Sequence, residues 1–112
     1  MILTLIPVAL GGALGAVLRW LAGLAVAFPF GTLAVNVAGC FAIGLVWAGL
    51  VARWHPFLIT GVLGGFTTFS AFSLDTLRLV EDGRGTAALG YVAASVMLSL
   101  AACAAGLWLV RG

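Results

Sequence analysis

Residues 61–73 read Gly61-Val62-Leu63-Gly64-Gly65-Phe66-Thr67-Thr68-Phe69-Ser70-Ala71-Phe72-Ser73. Two adjacent glycines and four hydroxyls are poor material for an uninterrupted helix. Glycine costs backbone entropy, and serine and threonine offer the backbone rival hydrogen bonds. The stretch nevertheless lies inside an apolar segment. In hydrocarbon, freed backbone groups are tolerated only where protein or trapped water satisfies them. One reading is a broken helix that presents carbonyls and amides to an ion. The other is close packing through Gly61-x-x-x-Gly65, with the hydroxyls bonded to i−4 carbonyls. Pattern alone leaves both open.

The surrounding chain fixes the environment. Hydrophobic residues make up 64% of the 112 residues and charged residues 7%, against about 45–50% and about 25% in soluble domains. Mean hydropathy is +1.29, too high for a water-soluble ball of this size. The length holds about four spanning helices and little else. A soluble enzyme domain, a receptor ectodomain and an ATPase domain are excluded. The expected fold is an all-α integral membrane protein, one transmembrane domain over 1–112, with four helices at about 3–27, 32–52, 57–80 and 86–110. Phe28-Pro29-Phe30-Gly31, Arg53-Trp54-His55-Pro56 and Glu81-Asp82-Gly83-Arg84-Gly85 separate them. Trp20, Trp47, Trp54 and Trp108 fall near span ends, as amphipathic rings prefer. The start Met1-Ile2-Leu3 lacks a basic region and is expected to open a retained first span.

Charge and cysteine usage narrow the class further. The five basic residues are all arginines, and a net charge of +2 is too small and scattered for nucleic acid. Cys40 and Cys103 lie in apolar stretches without metal spacing, so packing thiols are expected. With four spans, Arg53 and Arg111 share one membrane face. Arg78 and Arg84 share the other, joined by Arg19 if it is counted. The positive-inside rule has almost no bias to act on, so the chain can insert both ways and pair head to tail.

Several polar residues inside the spans need a reason. Arg19 lies about 13 Å below the Phe28 end of the first helix. A charge at that depth costs at least ~2.5–3.5 kcal/mol and requires partners. Asn36 is the only amide side chain in the sequence. Alone it fits interhelical glue, unless other polar groups converge on it. Tyr91, Ser95 and Ser99 recur at i, i+4 and i+8, one helical face carrying a ladder of hydroxyls. Phe69 and Phe72 share a face beside Ser70 and Ser73, a pattern that also suits plain core packing. Hydroxyls, the Asn36 amide and the positive edge of a phenylalanine ring stabilise negative charge without carrying any, which points to an anion.

At these residues the chain resembles the bacterial fluoride channel family (Fluc, also called CrcB) over essentially its full length. Three motifs carry the resemblance: 11–20 (Gly-Gly-Ala-Leu-Gly-Ala-Val-Leu-Arg-Trp), 31–39 (Gly-Thr-Leu-Ala-Val-Asn-Val-Ala-Gly) and the 61–73 stretch. The resemblance implies an antiparallel, dual-topology homodimer in the bacterial inner membrane, with two separate pathways for passive fluoride export. It assigns Phe69 and Phe72 to pore-lining phenylalanines, with Asn36 and Ser70 nearby, and Tyr91, Ser95 and Ser99 to a polar track. It places a structural sodium ion at the dimer centre, on backbone carbonyls of Gly64 and Thr67, and puts Arg19 near a vestibule. Ala71 stands where many members carry threonine, one hydroxyl fewer for the lining. The expected partners are fluoride, a second copy of the chain and the lipid bilayer, with no nucleic acid.

Two rival readings are weaker. A small multidrug exchanger needs a carboxylate in the membrane, usually on helix 1, and the first acidic residue here is Asp75. A non-conducting accessory subunit explains the glycine and alanine content but not the aligned hydroxyls with Asn36. No nucleophile–base or carboxylate pair can be assembled, and the lone His55 sits at a boundary, so no enzyme is expected.

Overall fold

A computed structural model describes residues 1–112, and every regular element in it is helical. Helix α1 spans Ile2–Ala25 and α2 Phe30–Gly49. A one-turn 3-10 helix, Ala52–Trp54, leads into a π-helical stretch, Pro56–Leu63. A single turn, α3, follows at Gly64–Phe66, then α4 at Phe69–Glu81 and α5 at Gly85–Arg111. Four segments are long and apolar enough to cross a membrane: Ile2–Ala25, Phe30–Gly49, Ala52–Glu81 and Gly85–Arg111. The all-helical, four-span architecture is the one the composition requires. Helix α2 closes earlier than expected because Leu50 turns extended, at φ −114° and ψ 149°, and sends the chain into the 3-10 turn.

The third segment contains two kinds of irregularity. Its first half is wound as a π-helix. Its middle is not helical at all: Thr67 (φ −88°, ψ 156°) and Thr68 (φ −156°, ψ 126°) are extended between α3 and α4. At the far end of α4 the helix closes in a Schellman motif. The Gly83 amide donates to the Val80 carbonyl and the Arg84 amide to the Leu79 carbonyl. Gly83 takes φ +75°, which only glycine adopts without strain.

Small residues set how closely the spans approach. A Cβ on Gly11 or Gly15 of α1 would run into the Phe57 or Val62 carbonyl, and one on Gly65 into the Gly12 carbonyl. The Gly61-x-x-x-Gly65 packing face is therefore real and lies against α1. Gly44 and Gly106 do the same for α2 and α5, where an added Cβ would strike the Cys103 or Phe41 carbonyl. A small core of Leu79, Ala88 and Tyr91, flanked by Leu33 and Phe72, joins α4 to α5. Only 14 of 112 residues are buried, because the chain forms a slab of 47 × 32 × 23 Å. Most side chains thus face outward, as suits a lipid environment.

Candidate functional site

The extended pair Thr67-Thr68 is held by a side chain from another span. The Asn36 amide nitrogen donates to the Thr68 carbonyl at 3.0 Å, and the Thr68 amide donates to Asn36 Oδ1 at 2.8 Å. One side-chain amide thereby replaces both helical partners of one residue. Thr68 Oγ1 then caps α4 by accepting from the Ala71 amide at 3.1 Å. These bonds have a consequence for the carbonyls around them. In an unbroken helix the Thr68 amide would serve the Gly64 carbonyl, and the Ala71 amide the Thr67 carbonyl. Both donors are diverted, which leaves the Gly64 and Thr67 carbonyls without their helical donors. Arg19 Nε donates to the intervening Gly65 carbonyl at 3.3 Å. The arginine so finds a partner within the membrane-spanning region.

Beside the break lies a cavity of about 340 Å³. Asn36 on α2, Thr67 and Thr68 at the break, Phe69 and Phe72 on α4, and Ser95 and Ser99 on α5 all line it. Five of the seven residues assigned to the pathway from sequence meet here. After its bond to Thr68, Asn36 retains one amide hydrogen to offer. Ser95 is 6% exposed, and its hydroxyl has no hydrogen-bond partner. The oxygen is enclosed by protein in the single chain, so its missing partner is a local cost within the packing around α5. The Phe69 and Phe72 rings stand 5.4 Å apart at 52°. Phe69 is 77% exposed on the single chain, at the cavity's open side.

The other two assigned residues lie elsewhere. The Ser70 hydroxyl pairs with Thr68 Oγ1 at 3.0 Å and does not line the cavity. Tyr91 is buried with its ring 5.5 Å from that of Phe72, and its hydroxyl donates to Asp75 Oδ2 at 3.3 Å. Arg19 lines a second cavity, of about 300 Å³, with Trp20, Thr32 and Ala71. The hydroxyl missing at Ala71 is thus missing from the Arg19 side, not from the cavity of the two phenylalanines.

Two further residues shape the surroundings of the cavity, Asp75 and Thr68. Asp75 is 8% exposed and lies 3.9 Å from Arg78, whose guanidinium sits 4.1 Å over the Phe28 ring. Its spacing was the available signal: Phe69, Phe72 and Asp75 follow one another three apart, on one helical face. Thr68 was visible as a hydroxyl but not as the residue that Asn36 holds, since that pairing spans 32 positions.

A family model described as "CrcB-like protein, Camphor Resistance (CrcB)" matches residues 6–107. The chain belongs to this CrcB-like family. Among its relatives, the "Fluoride-specific ion channel FluC" of Paracoccus denitrificans (strain Pd 1222) is 58% identical over 97% of this chain and 95% of that protein. The FluC protein of Rhizobium etli (strain CIAT 652) is 55% identical over 93% of each. That of Cereibacter sphaeroides (strain ATCC 17029 / ATH 2.4.9) is 51% identical over 100% of this chain and 98% of the relative. Four apolar spans make this chain a multi-pass membrane protein, and the CrcB-like family to which it belongs is one of channels, not enzymes.

Proposed function

We propose that the chain is a fluoride-selective channel of the bacterial inner membrane, acting as an antiparallel homodimer with two pathways for passive export. One observation carries the reading: uncharged polar residues from three spans, Asn36, Thr67, Thr68, Ser95 and Ser99, line a single cavity. Fluoride is small and tightly hydrated. It leaves water only where many donors replace its shell, and it moves on only where no fixed positive charge traps it. The free amide hydrogen of Asn36, the Ser95 and Ser99 hydroxyls and the ring edges of Phe69 and Phe72 supply such weak, repeated sites. Weakly acidic HF enters cells from acid surroundings and dissociates inside, so a passive route for the ion suffices for export.

The open cavity supports the dimer. Polar groups beside an exposed Phe69 ring would otherwise face acyl chains, which cannot hydrogen-bond them. A second copy covers them, and the near-equal arginine count at the two membrane faces allows that copy to be inverted. The break in the third span supports a structural sodium ion. Carbonyl oxygens freed by unwound backbone suit that hard cation, and Gly64 and Thr67 are the two whose helical donors Asn36 and Thr68 divert. When bound, the ion would tie the broken segments together through these carbonyls. Tyr91 and Asp75 flank the track and fix the Phe72 side of the cavity.

Proteoliposomes loaded with fluoride or chloride test the reading. Once valinomycin lets potassium balance the charge, rapid fluoride efflux with chloride retained is the expected result. Proton-driven exchange of organic cations would favour the multidrug exchanger, and the absence of any flux would favour the accessory subunit.

A further inference from the structure

Arg78 stands in the last turn of α4, at the end of the molecule where the turn between α1 and α2 also lies. Its guanidinium sits 4.1 Å over the Phe28 ring and 3.9 Å from Asp75, one helical turn earlier on the same face. The face of a phenyl ring attracts a cation, so Phe28 gives the half-exposed guanidinium a seat. Asp75 itself is buried, and its other carboxylate oxygen accepts from the Tyr91 hydroxyl. With Phe28 and Pro29 it lines a cavity of about 140 Å³. Tyr91 heads the row of hydroxyls that continues along α5 as Ser95 and Ser99. Glu81, Asp82 and Arg84 are exposed beyond the end of α4, and Arg78 is the only cation within ion-pair distance of Asp75.

We infer that Arg78 is a positioning residue of the fluoride pathway: seated on Phe28, it offsets the buried Asp75 carboxylate so that an anion can pass the Tyr91 end of the hydroxyl row. The inference rests on the fluoride-pathway reading above. A carboxylate bonded to Tyr91 repels an approaching anion, and its burial leaves little water to weaken that field. A guanidinium one turn away turns the lone charge into a pair of opposite charges, whose field falls off much faster with distance. Removing one member of such a pair leaves the other uncompensated, which disturbs the site more than removing both. The same engagement keeps Arg78 from trapping the ion. Its charge is already shared between Asp75 and the Phe28 ring, so it adds no free cationic site to a route that works through weak ones.

The test measures fluoride efflux from liposomes with valinomycin present, over a range of fluoride concentrations, for Arg78→Gln in two backgrounds. Arg78→Gln is expected to lower efflux by about tenfold in the parent chain, but by less than about threefold where Asp75→Asn has already removed the carboxylate. In the parent chain the fluoride concentration for half-maximal efflux is expected to rise by about threefold or more, because repulsion lowers the ion's occupancy. A merely structural role would lower the maximal rate and leave that concentration unmoved, and this result overturns the inference. So does a loss as large beside Asp75→Asn as in the parent chain, or an Arg78→Gln protein with the parental rate. An Asp75→Asn protein without efflux overturns it too, since the carboxylate would then be required rather than offset. Should Arg78→Gln fail to yield the dimer, Phe28→Leu takes its place, removing the seat and neither charge. It is expected to lower efflux by about threefold, and only where Asp75 is present; an equal loss in both backgrounds overturns the inference. Absence of fluoride efflux from the parent chain would overturn the channel reading as well, which keeps the two claims apart.

Discussion

At the scale of single residues, Asn36 joins structure to transport. Its amide holds Thr68 from both sides, and the residue also lines the cavity proposed to carry fluoride. The two roles separate by substitution. Asn36→Asp keeps the acceptor for the Thr68 amide, loses the donor to the Thr68 carbonyl and puts negative charge on the route. Fluoride flux in liposomes is expected to fall by about tenfold or more, and an unchanged rate would reduce Asn36 to a structural tie. Asn36→Ala removes both bonds, and a loss of about 1 kcal/mol or more in detergent stability is expected. Phe69→Ile and Phe72→Ile keep apolar bulk but remove the ring edge. Both are expected to abolish fluoride flux while the dimer survives size-exclusion chromatography, and normal flux in both would rule out the ring-edge role. These residue types were legible in the sequence because polar groups are rare in it. Which hydroxyls meet was not. Ser95 and Ser99 reach the cavity, whereas the Tyr91 hydroxyl, on the same periodic face, is taken by Asp75, a pairing that no spacing rule within one helix encodes.

At the scale of elements, the third span pairs close glycine packing with an extended step at Thr67-Thr68. Gly61 and Gly65 give close approach to α1, and Thr67-Thr68 leave the helix altogether. Glycine pairs on α1 test the packing half. Gly15→Ala drives a Cβ into the Val62 carbonyl, while Gly12→Ala meets nothing within 4 Å. The first is expected to lower thermal stability in detergent by about 1–3 kcal/mol. The second is expected to be neutral or slightly stabilising, by up to about 1 kcal/mol of helix propensity. Equal effects would contradict the contact. Cation replacement tests the broken half. Exchange of sodium for N-methylglucamine is expected to lower the melting temperature of the dimer, and a melting curve indifferent to sodium would count against the proposed ion. The span count and the loops were legible from apolar run length and from Pro and Gly punctuation. The π-helical winding of Pro56–Leu63 was not, because an apolar run reads alike in either helix type.

At the scale of the whole molecule, the chain is a thin slab with few buried residues and an open cavity between α2, α4 and α5. The sequence showed that it belongs in a bilayer, and its balanced arginines suggested two orientations. A single chain's residue pattern does not record which surface a second copy covers. Two arginines added beside Arg53 are expected to bias insertion to one orientation and so to abolish flux when that variant is made alone. Co-expression with a variant carrying the opposite bias, beside Arg84, is expected to restore it, whereas activity in either variant alone would contradict an inverted pair. The central claim is that uncharged donors carry fluoride passively. Fluoride efflux from liposomes with a potassium gradient, measured by a fluoride electrode before and after valinomycin, tests it most directly. The account predicts little net efflux until the ionophore lets charge balance, then rapid efflux of fluoride without chloride and without any need for a proton gradient. Efflux that depends on a proton gradient, or that chloride shares, would contradict it.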